Sequence, residues 1–305
     1  MISLDFTNLY IHAVEGSASG ASVTVNRFGS CSLPGPISSE GQMDEKAVAQ
    51  SLRDLLESAK LKGDKICAVV SKSNLVSNEY VLPYEKKPSA MRNIIRGELI
   101  QSHSMDDHVM DYTVMEVFPR DGGTFCRVQA YLAKRSLVEA ISRVISLAGK
   151  KPFCYTVTQN CLSRLQNMGA GFAQGDIIVA AIGSARILIT LLAQPNIVIT
   201  RAITVMPGDQ ARTAFLDGTY PTETVSEAAI QNISKMLQYH SIKYPGKKVD
   251  SVYIMGDMVD DAMAKNISAS LGNQVSLLAA PAFLNAPSGF PFDQYAYATG
   301  ALLEK

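Results

Sequence analysis

The chain opens in strict alternation. Ile2, Leu4 and Phe6 alternate with Ser3, Asp5 and Thr7, which predicts a strand with two distinct faces. Residues 9–14 form a second strand after a tight turn, and Val23, Thr24 and Val25 mark a third. Over 44–60 the period changes to helical: Ala47, Val48, Leu52, Leu55 and Leu56 share a face, and Asp44 stands where an N-cap belongs. Residues 66–70 are a short, β-rich apolar run, the pattern of a buried strand.

Residues 76–152 carry a pattern of their own. A strand over 78–82 ends at Pro83, and a helix starts near Ser89 with Met91, Ile94, Ile95 and Leu99 on it. Strands over 109–117 and 125–133 flank Pro119, Arg120, Asp121, Gly122 and Gly123, a hairpin signal. A second helix over 137–148 stops at Gly149. This β-α-β-β-α order predicts a small α+β module inserted into the chain. A helix over 158–168 follows, and the small residues of 169–175 mark a crossing.

The opening pattern then returns. Residues 177–181, 186–193 and 196–203 form another three-strand meander, so the chain has two related halves. A long helix over 222–239 carries Val225, Ala229, Ile233, Met236 and Leu237 on one face. A strand over 249–255, a helix over 260–271, a short strand over 274–278 and an alanine-rich helix over 296–303 complete the pattern.

Composition narrows the function classes. At 305 residues the chain exceeds one comfortable core, so two lobes are expected. Lys plus Arg and Asp plus Glu are both 28, which gives no electrostatic case for nucleic-acid binding. The run 177–192 is interrupted by Gly183 and Arg186, so no membrane span and a cytoplasmic protein are expected. Cys31, Cys67, Cys126, Cys154 and Cys161 form no Cys-x-x-Cys and read as reduced thiols. His103 and His108, beside Asp106 and Asp107, read as a solvated loop rather than a metal site.

Three segments carry the chemistry. Residues 5–15 follow the first strand with Asp5, Thr7, Asn8, His12 and Glu15; residues 177–184 end in Ala181, Ile182, Gly183 and Ser184; residues 252–258 place Gly256 and Asp257 after a strand. Hairpin turns that face each other across a cleft can offer backbone N–H groups to phosphate, with carboxylates for hydrated magnesium. In order and context these segments resemble the PilM family of type IV pilus assembly proteins, relatives of the cell-division protein FtsA in the actin-like ATPase superfamily. The family's first loop reads Asp-Ile-Gly-Thr-Ser-x-Ile-Lys-Ala-Val-Glu; Asp5, Ile11, Ala13, Val14 and Glu15 match it, while Thr7 replaces its glycine and His12 its lysine. Its second loop carries Asp-Ile-Gly, where Ala181 removes the carboxylate and Gly183 is kept. Its nucleoside loop is a Gly-Gly run, where Gly256 and Asp257 stand.

The resemblance implies an α/β, actin-like (ribonuclease H-like) duplicated two-lobe fold with an inserted α+β subdomain. It implies a first lobe of 1–75 and 153–172, an inserted partner-binding subdomain of 76–152, and a second lobe of 173–305 with a small helical subdomain at 209–248. A vestigial nucleotide site would comprise Asp5, Thr7, Asn8, His12, Gly183, Ser184, Lys235, Gly256 and Asp257, with no catalytic residue and no metal ligand assigned. Two readings follow. In one, ATP and magnesium are no longer used, and the protein is a scaffold at the cytoplasmic face of the inner membrane. It would dock the cytoplasmic peptide of a PilN-like bitopic protein against Tyr80, Leu82, Tyr84, Arg92, Ile95 and Leu99. In the other it remains a nucleotide-binding ATPase or phosphotransferase of pilus or type II secretion machinery.

Overall fold

The computed structural model describes residues 1–7, 9–37, 41–71, 75–168, 175–193 and 196–304. They divide into two compact units: 1–36, 43–72 and 144–305 in the first, 37–42 and 73–143 in the second.

The first unit is built on two sheets of the same plan. In one, the antiparallel meander β1 (Ile2–Phe6), β2 (Tyr10–Ser19) and β3 (Ser22–Ser32) is extended in parallel by β4 (Lys65–Val70) and β8 (Lys151–Val157). In the other, the meander β9 (Ile177–Ile182), β10 (Arg186–Ala193) and β11 (Asn196–Thr204) is extended by β12 (Ser251–Met255) and β13 (Val275–Leu277). The repeated order is the duplicated actin-like architecture. β9 is buried at every position because its two faces serve different cores. Ile177, Val179 and Ala181 face a core shared with α4 (Thr158–Asn167) and α8 (Phe292–Ala301). Ile178, Ala180 and Ile182 face a core shared with α6 (Thr222–Lys243) and α7 (Asp261–Leu271).

Caps end the helices where sequence chemistry places them. The Asp44 carboxylate accepts from the Ala47 N–H at the start of α1 (Glu45–Ser58), and that of Asp260 from Met263 at the start of α7. Gly272 closes α7 in the left-handed conformation. Three elements go beyond the sequence pattern. β8 is an outer strand and so tolerates Pro152, which donates nothing to a ladder. α5 (Gly208–Leu216) buries only Ala211 among its side chains. β14 (Leu284–Asn285) pairs with β3, and α8 packs Tyr295 and Ala298, with Leu302 just after it, against Val14, Val23 and Val25. The C-terminal segment thus packs on the first sheet as well as on the second. Its near-complete burial explains this, because a helix apolar on all sides needs neighbours on all sides.

The second unit is a three-stranded sheet in the order β5 (Leu75–Pro83), β7 (Gly123–Lys134), β6 (His108–Arg120), with α2 (Pro88–Ile100) on one face. The β6–β7 hairpin turns through Asp121 and Gly122, both at positive φ, the geometry of a tight two-residue turn. The unit also takes in 37–42. α3 (Arg135–Leu147) begins in this unit and ends in the first, so the second unit closes at 143 where the sequence pattern suggests 152.

Candidate functional site

The first loop turns tightly between β1 and β2. The Thr7 N–H donates to the Tyr10 carbonyl (2.9 Å), and Thr7 Oγ1 accepts from the N–H groups of Leu9 (3.3 Å) and Tyr10 (3.0 Å). These are donors that such a loop would otherwise turn toward an anion. The residue that replaces the family glycine thus consumes them. Asn8, the fourth residue expected here, lies outside the described residues.

Asp5 and His12 are opposite one another in the β1–β2 ladder, so their side chains share a face. Ser3, on the same face, donates to the Ala298 carbonyl of α8 (2.5 Å). That face is therefore interior, and His12 is 2% exposed. The edge of the Tyr295 ring packs on the imidazole, with centroids 4.8 Å apart.

The third loop reaches the same place from the other sheet. Gly256 has φ +115°, and a Cβ there would lie 2.6 Å from the Ile182 carbonyl oxygen at the end of β9. Only glycine allows this approach. The Gly256 N–H donates to the Asp293 carbonyl in the first turn of α8 (3.1 Å). With its backbone held at both ends, the loop aims Asp257 inward. His12 Nε2 donates to Asp257 Oδ1 at 2.6 Å, with Asp257 6% exposed. His12 Nδ1 has no partner among the described residues, so the bond runs through Nε2 alone.

Electrostatics follow from this burial. Loss of hydration pushes the Asp5 carboxyl up to about 7; His12 pulls it down and Asp257 adds to the rise. Burial by itself would lower His12, but its hydrogen bond to Asp257 and the charges of Asp257 and Asp5 outweigh that and raise it. Asp293 is raised by partial burial and by Asp257. The site is an acid–base–acid cluster that links two sheets. An aromatic contact beside it joins the same halves: Tyr10 meets Phe215 of α5 edge-on, centroids 6.3 Å apart.

The other expected residues divide. Gly183 and Ser184 form the β9–β10 turn; the Gly183 N–H donates to the Arg186 carbonyl (2.9 Å), and Tyr220 Oη donates to the Ser184 carbonyl (2.5 Å). Lys235 is not brought to the loops. α6 begins at the Ser184 turn through Tyr220, and His240 near its end bonds Asp176 at the opposite end of β9 (2.7 Å). Lys235 is exposed and lies five residues before His240, toward that far end. Asp176 is held there by that bond. Glu15, a match to the family motif, accepts from the N–H groups of Lys62 and Gly63 and from Arg27, and so anchors the loop before β4.

These residues do not fit a magnesium nucleotide. The Leu9 and Tyr10 donors are taken by Thr7, Ala181 offers no oxygen ligand, burial pushes the Asp5 carboxyl up to about 7, and Asp257 is bonded to His12. The sequence places His12 and Asp257 in one vestigial nucleotide site, but on separate loops and without a bond between them. It misses their pairing because they belong to different sheets. It misses Tyr10, Tyr295 and Asp293 as well; an aromatic two residues before His12, on the same face of the strand, was the available signal.

In the second unit, Leu82, Ile95 and Leu99 are 7%, 0% and 1% exposed and pack with Met91, Cys126, Val128, Ala130 and Leu132. In the free chain all three are core residues: helical period puts Ile95 and Leu99 on the inner face of α2, and Leu82 meets them from β5, so that they hold the helix to its sheet. Tyr80 and Tyr84 are half-buried at the edge of this core. Arg92 is exposed, donating to the Met110 carbonyl (2.8 Å) and pairing with Asp111 (3.2 Å). β5 is an outer strand of its sheet.

No protein-family model and no curated protein sequence matches the chain. Solved structures do. The chain is similar to one described as the PilM-PilN type IV pilus biogenesis complex, with a TM-score of 0.79 and 17% identity over 99% of this chain and 97% of that one. It is similar to the ethanolamine utilization protein EutJ from Carboxydothermus hydrogenoformans, with a TM-score of 0.52 and 14% identity over 99% and 88% of the two chains. The cytoplasmic domain of EpsL, of the Vibrio cholerae type II secretion system, aligns at 0.49 with 12% identity over 100% and 95%, too distant to carry an argument. At these identities the likeness is one of fold, and the fold is actin-like.

Proposed function

From an actin-like fold whose nucleotide loops are bonded to each other, we propose a scaffold of a type IV pilus or related secretion machine that does not turn over ATP. The observation that carries this reading is the buried 2.6 Å His12–Asp257 bond. It joins the first loop to the third, at the position where this architecture would hold phosphates between them. An ATPase of this kind gains from opening and closing around its ligand. Here the closed arrangement is held by the chain's own side chains, so a nucleotide would have to break a buried ion pair before binding.

The partner follows from the likeness to the PilM-PilN complex, carried to this chain as part of the proposal. The inserted unit takes the cytoplasmic peptide of a PilN-like membrane protein, and the scaffold works at the cytoplasmic face of the membrane through it. The outer edge of β5 offers backbone donors and acceptors to an extended peptide, with Tyr80 on that strand and Tyr84 just past its end, while Arg92 lies against β6 at the opposite edge. No helix among the described residues is long and apolar enough to cross a membrane.

The test has two arms on the same purified, nucleotide-free protein. Calorimetric titration with magnesium-ATP is expected to give no saturable heat. Fluorescence anisotropy with the N-terminal peptide of the PilN-like protein from the same organism is expected to saturate. ATP binding tighter than roughly 100 μM, about −5.5 kcal/mol, would overturn the locked cleft. A peptide that never binds would overturn the scaffold role.

A further inference from the structure

The far end of α6 carries a chemistry that neither the cleft nor the peptide edge uses. Between Glu227 and Asp250 the chain has no acidic residue but has Lys235, Lys243, Lys247 and Lys248, in a protein of formal charge +0. All four lysines are exposed, and none makes an ion pair among the described residues. Asp250, the first acid to follow, accepts from the Asp176 N–H (2.9 Å). The lysines are arranged around tyrosines: Lys243 Nζ stands 5.6 Å over the Tyr239 ring and 5.9 Å over Tyr244, and Lys247 Nζ stands 5.8 Å over Tyr244. Beside them, Ile242 is 80% exposed, the highest value among the exposed large hydrophobic residues. Burial of His240 against Asp176 fixes this helix end to the second sheet, so the patch is held rigidly.

We propose that the C-terminal end of α6 is a contact site for an anionic bilayer surface. Each component has a place at such a surface. Lysines meet the headgroup charge, tyrosines sit at headgroup depth with ring inward and hydroxyl outward, and a protruding isoleucine enters the acyl boundary. An acidic peptide or a nucleic acid would engage the lysines and rings but leave Ile242 in water. The isoleucine therefore decides for the bilayer. The contact is weak by design of its charge count, since a handful of lysines and one apolar side chain give reversible binding. It lies at the opposite end of β9 from the Gly183–Ser184 turn, away from the cleft. This site goes beyond the scaffold reading, and its test uses the chain without any peptide, so the two can fail separately.

The experiment is co-sedimentation of the full chain with sucrose-loaded vesicles of phosphatidylglycerol and phosphatidylethanolamine, against vesicles of phosphatidylcholine alone, at low and high salt. Expected is binding to the anionic vesicles only, weakening with salt. The exposed triple variant K243Q/K247Q/K248Q should lower partition by about a hundredfold, about fivefold per charge. Ile242→Ser should weaken binding without changing its salt dependence. A K46Q/K265Q control, elsewhere on the surface, should bind as the parent does. Failure of the parent to bind, or binding untouched by the triple variant, would overturn the proposal. Undiminished binding by Ile242→Ser would also overturn it, because the isoleucine that decides for the bilayer would then take no part in the contact.

Discussion

His12 donates to Asp257 across 245 residues of chain at 2.6 Å, and both side chains are almost wholly buried. A buried pair of this kind is costly to break and cheap to replace. Removing one partner leaves an uncompensated polar group in the interior, whereas replacing both by apolar groups removes attraction and desolvation cost together. His12→Ala or Asp257→Ala should each lose about 3–5 kcal/mol in urea unfolding. The double variant His12→Leu/Asp257→Leu should lose far less than the sum of the singles. Additive losses would show that the two groups act separately.

The same cluster sets an unusual pH profile. The Asp5 carboxyl, ordinarily near 3.8, is pushed up to about 7 by burial. Between those values the folded protein binds a proton that the unfolded chain does not, so stability falls as pH rises through this window. His12 works in the same direction. Its folded value lies above the ordinary 6.5, so its contribution is complete below 6.5 and is lost as pH rises through the folded value. The protein should therefore be more stable at pH 5 than at pH 8. Asp5→Asn should flatten the acidic part of the profile and stabilise the protein at pH 8, by roughly 4 kcal/mol at most. Chemical denaturation across pH 4.5–8.5 measures both; an unchanged slope in the variant would rule out Asp5 as its source.

Gly256 carries the approach of the third loop to β9. Alanine there meets a positive φ and a carbonyl oxygen 2.6 Å from its Cβ, and both partners are backbone atoms that cannot swing away. Gly256→Ala should cost more than about 2 kcal/mol. It should also weaken the His12–Asp257 bond, because the loop that aims Asp257 is displaced. The His12 ring protons, followed by NMR titration, should then move toward ordinary histidine behaviour; a loss of stability without that change would mean the loop shifts independently of Asp257.

The sequence makes the local elements legible because their physics is local. Alternation in residues 2–7, the Asp44 cap and the Asp121–Gly122 turn each act within a few residues. The duplicated meander is visible for the same reason. β8 is hidden by Pro152 and the charged residues around Lys151, which read as loop until a sheet edge is there to receive them. The return of α8 to the first sheet depends on contacts between residues near 295 and residues near 14 and 25, which no window of sequence contains. The site divides along the same line. Order and spacing identify its three loops, and Thr7, Ala181 and Asp257 mark their departure from a nucleotide cradle. That Asp257 bonds His12 from the other sheet is a property of packing alone.

In the second unit the packing also separates two roles that helical spacing cannot. Ile95 is 0% exposed and holds α2 to the sheet, whereas Tyr84 is half-buried beside the outer strand. Ile95→Ala removes buried methyl groups and leaves a cavity, so unfolding of this unit should become easier by about 2–5 kcal/mol. Tyr84→Ala loses only part of one ring's contacts and should leave stability nearly as it was. Peptide binding should reverse the order. Anisotropy with the PilN-like peptide should weaken severalfold for Tyr84→Ala and change little for Arg92→Ala, because Arg92 is bonded to Met110 and Asp111 on β6, the opposite edge of the sheet. Ile95→Ala, assayed well below its melting temperature, should bind with near-parent affinity. If Ile95→Ala abolishes binding while the fold persists, the peptide enters the core beneath α2. The groove would then form only on binding, and the outer edge of β5 would not be the docking site.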